Sequence, residues 1–84
     1  MYEILIKNYL KKLSLKDIND FAIKNGAPLL DGEDKIIYNF IMENWMDVYK
    51  GNSILTLNKL KNKVSDNTYN NIMNLYNKYK NKIL

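Results

Sequence analysis

Three carboxylates crowd one short stretch, at Asp31, Glu33 and Asp34, just ahead of the most apolar part of the chain. Clustered acids can hold a hard cation through oxygen ligands. The Asp-x-Asp-x-Asp-Gly spacing of a calcium loop is missing, and no distal Glu stands where a bidentate ligand is needed. Acids at a helix start also satisfy its unpaired N–H groups and its dipole. Asp31 is therefore expected to cap a helix, with Glu33 and Asp34 in its first turn, and no metal is expected. Asp17 with Asp20, and Glu43 with Asp47, share helix flanks. Such pairs do acid–base work when one member is desolvated. Both pairs alternate with Lys and Asn on faces expected to be wet, so neither is assigned a catalytic role.

The chain has no histidine and no cysteine. That removes the commonest general base, the thiolate nucleophile, disulfides and zinc sites of the Cys/His kind. No Walker loop or nucleophile elbow is present. The expectation is a non-enzyme without a cofactor. All thirteen basic residues are lysine, and the formal net charge is +4. From Gly51 onward, six lysines stand against one acid, Asp66. Lys59, Lys61, Lys63, Lys78 and Lys82, interleaved with asparagines, form a candidate nucleic-acid face, since phosphate contacts dominate such binding. Against this, the chain lacks Arg, the usual reader of guanine. Its Lys, Asn, Ile and Tyr enrichment is also what an AT-rich genome supplies to any solvated surface.

The elements that position these groups read as helices. Tyr2, Leu5, Ile6, Tyr9, Leu10 and Leu13 share one face of a first helix over Tyr2–Leu13. Ser14 and Asp17 make a capping box for a second over Leu15–Asn25, burying Leu15, Ile18, Phe21 and Ala22. Asn25-Gly26 is a left-handed stop, and Pro28 keeps the next residues extended.

A long apolar helix is expected over about 32–50. Its face carries Ile37, Tyr38, Ile41, Met42, Trp45, Met46, Val48 and Tyr49, with Trp45 as core. Ile36 and Phe40 fall on the opposite side. After Gly51-Asn52 comes a short helix over Ile54–Lys63, presenting Leu57, Leu60 and Val64. Ser65 opens the last helix, with Tyr69, Ile72, Met73, Leu75, Tyr76, Tyr79 and Ile83 on one side. Asn70, Asn71, Asn74, Asn77, Lys78, Asn81 and Lys82 lie on the other.

No stretch alternates long enough for a sheet, and no apolar run approaches the ~20 residues of a membrane span. The opening residues are too short and wrongly flanked for a secretory signal. A single all-α domain over 1–84 is expected, a compact bundle of four to five short helices in the cytoplasm.

Leu13 to Ile18, Asn25 to Leu29, Ile54 to Val64 and Ser65 to Tyr69, in that order, resemble a family of small uncharacterised helical proteins from low-GC Gram-positive bacteria. The resemblance covers nearly the full length and rests on caps and apolar spacings. It implies a cytosolic bacterial helical protein, and it carries over no catalytic or binding residue.

The expected function is a non-catalytic interaction module that binds a protein partner or itself. Ile36 and Phe40 are the candidate partner-facing residues, because they break an otherwise clean pattern. Sequence-tolerant nucleic-acid binding by the C-terminal lysines is the alternative. No membrane partner is expected.

Overall fold

The computed structural model describes residues 2–83 apart from Asn52, with side chains described over 3–78. Within that range the chain is all-α. Helices α1 (Tyr2–Lys12), α2 (Leu15–Lys24), α3 (Glu33–Tyr49), α4 (Ser53–Leu57) and α5 (Asp66–Ile83) follow in order, with a 3-10 turn over Asn58–Leu60. The bundle measures 34 × 26 × 21 Å. No described helix is long and apolar enough to cross a membrane.

Local chemistry accounts for the first breaks. The Ser14 hydroxyl accepts the Asp17 N–H at 3.1 Å, and the Asp17 carboxylate accepts the Ser14 N–H at 3.0 Å. This is the full capping box, which satisfies two orphan donors at once. At the other end of α2, Ala27 N–H reaches Ala22 C=O at 2.8 Å and Gly26 N–H reaches Ile23 C=O at 3.0 Å. Gly26 adopts φ 72°, where a side chain is disfavoured. That pattern is a Schellman stop, and its apolar contact is supplied by Ala22 and Ala27, both buried.

The start of α3 corrects one expectation. Gly32, at φ 84°, occupies the cap position and Asp31 makes no cap. Gly32 has no side chain to offer, so the N-terminal donors look elsewhere. The Glu33 carboxylate turns back and accepts the Leu30 N–H at 2.8 Å, while the Glu33 N–H bonds Leu30 C=O at 3.1 Å. A left-handed Gly between them closes this small ring.

The fourth helix is also shorter than its apolar spacing suggests. After Leu57 the backbone tightens into the 3-10 turn, and Lys63 and Val64 N–H both return to Leu60 C=O. In a 3-10 turn, residues three apart eclipse. Leu57 and Leu60 therefore stack on one edge, with Val64 added by the turn that follows.

These three residues enclose Phe40, and together they form the buried cluster. Leu60 is only 1% exposed and Phe40 8%. Ile36, Tyr69, Ile72, Met73 and Tyr76 pack around them. So Ile36 and Phe40 are not partner-facing: they point into the core against α4 and α5. A wheel with one apolar face misreads a helix that is covered on two sides. At ~1.5 Å per residue, α3 runs about 25 Å through the bundle. It turns Ile37 and Ile41 toward α1 and α2 and Phe40 toward α4 and α5. Trp45, expected in the core, is half-buried and borders a cleft between α1 and α3 with Lys7, Leu10 and Lys11.

Candidate functional site

The acidic trio comes apart in three dimensions. Asp31 is exposed. Asp34 accepts the Asn19 side-chain amide at 2.9 Å and its neighbour's N–H at 2.8 Å, so it ties α3 to α2. The Asn19 and Lys35 hydrogen bonds hold its carboxyl below the ordinary value. Glu33 goes inward. It is 5% exposed and receives the Leu30 N–H, the Ser65 N–H at 2.8 Å and the Thr68 hydroxyl at 2.6 Å. Burial pushes its carboxyl up, and the bonds from Thr68, Ser65 and Leu30 together outweigh that, leaving it below its ordinary value. The Ser65 hydroxyl donates to Thr68 Oγ1, so the chain of bonds runs Ser65 to Thr68 to Glu33. These carboxylates hold helix starts and inter-helix joints. Among the described residues, no group of three or more His, Cys, Asp or Glu side chains converges on a metal-sized space.

The lysines fall into two groups. Lys59, Lys61 and Lys63 are exposed around the corner between α4 and α5, and Lys59 Nζ reaches Asn44 Oδ1 at 3.4 Å. Lys78 is exposed far along α5, ~18 Å from that helix's first residue at the usual rise. Lys82 lies outside the residues whose side chains are described, as do Tyr79 and Ile83.

One feature of the described residues is not revealed by periodicity alone. Helix α3 packs against both α2 and α4. Between α1, α2, α3 and α5 lies a cavity of about 510 Å³, half-open to solvent. Leu10, Leu13, Ile18, Ile37, Ile41 and Leu75 are on its wall. Closed and empty, a void that size would cost on the order of 12 kcal/mol at ~24 cal/mol per Å³. Small domains have only about 5–15 kcal/mol of stability in total. The bundle leaves this space open to solvent rather than sealed.

Its mouth is apolar too. Tyr9 on α1 is 65% exposed and Phe21 on α2 is 49% exposed, and both border the opening. Leu5, one turn before Tyr9 on the same face of α1, is 60% exposed. The stripe that should have buried α1 is thus only half used. Leu10 and Leu13 turn inward, while Leu5 and Tyr9 remain in water. Asn71, expected on the wet side of α5, instead lines the cavity and is half-buried. Its position three residues after Thr68 puts it on the same side of the helix as that buried hydroxyl. The spacing was available in the sequence, but nothing marked Thr68 as buried.

A scan of protein-family models, a search of curated proteins and a search of solved structures return no match to this chain.

Proposed function

We propose that this protein is a non-catalytic interaction module, and that it binds a protein partner or a second copy of itself through the apolar mouth formed by α1 and α2. One observation carries the reading: Leu5, Tyr9 and Phe21 leave large apolar surface in water beside a space that the bundle itself does not fill. An open apolar surface of this kind gains free energy when another apolar face covers it. Aromatic residues set at the edge of a pocket are the groups that most often dominate such contacts. The non-catalytic part of the reading is supported by the carboxylates. Glu33 and Asp34 hold backbone and amide donors, and Asp17 is engaged with the Ser14 backbone.

Light scattering across a concentration series tests the self-association form, and cross-linking from position 9 in the native host tests the partner form. Tyr9→Asp and Leu5→Asp are the informative variants, because both positions are exposed and neither change should disturb the core. Weakened association in both supports the mouth. A chain that stays monomeric, and from which cross-links at position 9 form no more adducts than cross-links at exposed Lys61, removes the reading.

A further inference from the structure

We infer that the cavity between α1, α2, α3 and α5 is itself a binding site for a neutral small amphiphile, with an elongated or two-ring apolar body and one hydrogen-bonding head. The inference goes beyond the docking surface: Tyr9 and Phe21 belong to both, but Leu5 does not line the cavity, and the remaining lining residues are not part of the docking surface.

At about 510 Å³ the cavity falls within the ~300–1,000 Å³ range of small-molecule pockets. It is more than three times the ~150 Å³ that suffices for benzene in an apolar protein cavity. A single ring would rattle in it, whereas a medium-length chain or fused rings would touch both Leu10 on α1 and Ile41 on α3.

The wall's polar groups decide the head. The Thr68 hydroxyl already accepts from Ser65 and donates to Glu33. The Tyr76 hydroxyl donates to Ser53 Oγ. Both therefore have their protons committed within the protein. Asn71 is different: it lines the cavity, is half-buried, and its side-chain amide makes no hydrogen bond among the described residues. An amide both donates and accepts, which suits a hydroxyl or amide head. Asp17 is the one charged side chain on the wall among the described residues. Asp17 is exposed, so solvent screens its charge; a carboxylate head is disfavoured instead because no Lys lines the wall to pair with it among the described residues. The chemistry that remains is an apolar body with a neutral polar tip.

Amide-resolved NMR titration with decan-1-ol, and in parallel with decanoate, tests this in the Leu5→Asp background, where docking through the mouth is weakened. Saturable shifts confined to the wall are expected for the alcohol. Leu75→Trp fills the cavity and should weaken binding roughly tenfold. Leu10→Trp serves the same purpose from the opposite wall if the first variant does not fold. Asn71→Ala should weaken the alcohol several-fold and leave the fold's circular dichroism unchanged. Shifts that grow linearly without saturating, or undiminished binding in the filled variant, would overturn the site. Decanoate binding as tightly as the alcohol would overturn the assignment of the head. If the Leu5→Asp chain takes up the alcohol while the parent chain never self-associates, this site stands and the self-docking reading is removed.

Discussion

The Thr68 hydroxyl donates to Glu33 Oε1 at 2.6 Å across thirty-five residues of chain. Both residues are buried, and Glu33 has no cation within salt-bridge reach among the described residues. A buried carboxylate survives without a counter-ion only if donors replace its water. Here Leu30, Ser65 and Thr68 do so, and in doing so they fasten the start of α3 to the start of α5. Hydrogen bonds to a charged group contribute about 1.5–3 kcal/mol each.

Thr68→Val keeps the shape and deletes the donor. The expected cost is about 2 kcal/mol, because the carboxylate stays buried with one partner fewer. Thr68→Ser should recover most of it. Urea denaturation of both variants measures this, and a valine variant as stable as the parent would show that the bond contributes nothing net.

The same carboxylate sets a pH dependence. Its folded value lies below the ordinary 4.5, so the unfolded chain takes up a proton first as pH falls. The stability due to the ionised form is complete above 4.5 and drains away as pH drops through the lowered folded value. Glu33→Gln should flatten the stability profile in that window. It should also lower stability at neutral pH, because the amide brings its own donor against the Ser65 N–H. Midpoints of urea unfolding at a series of acidic pH values distinguish a flattened profile from an unchanged one.

Phe40→Ser should unfold the protein rather than alter its association. Truncating a buried aromatic side chain costs about 3–5 kcal/mol, and a hydroxyl in its place adds an unpaired polar group. Thermal melting followed by circular dichroism reads the loss. A Phe40→Ser chain that melts like the parent would mean that this ring does not sit among Leu57, Leu60 and Val64.

Ser14→Ala removes one half of the capping box. About 1 kcal/mol should be lost, with Ser14→Asp or Ser14→Asn largely restoring it. Hydrogen exchange at the Asp17 amide gives the site-specific check, since that proton is the one bonded to Ser14 Oγ. Unaltered exchange in the alanine variant is the contrary result.

The order of residues alone determined where most helices begin and end. Ser14 finds Asp17 and Gly26 lies next to the last turn of α2, all within a few positions, so their bonds form wherever the rest of the chain goes. Apolar spacing of three and four likewise made the molecule helical and made α3 its longest apolar element. Tertiary structure decided the remainder. Phe40 lies on the minor face of α3 on any wheel, and it became core because α4 and α5 cover that face. The inward turn of Glu33 depends on Thr68, far along the chain, and the cavity depends on how α1, α2, α3 and α5 come together. Backbone capping acts within one turn, whereas burial of a face is settled only by which other surfaces arrive there.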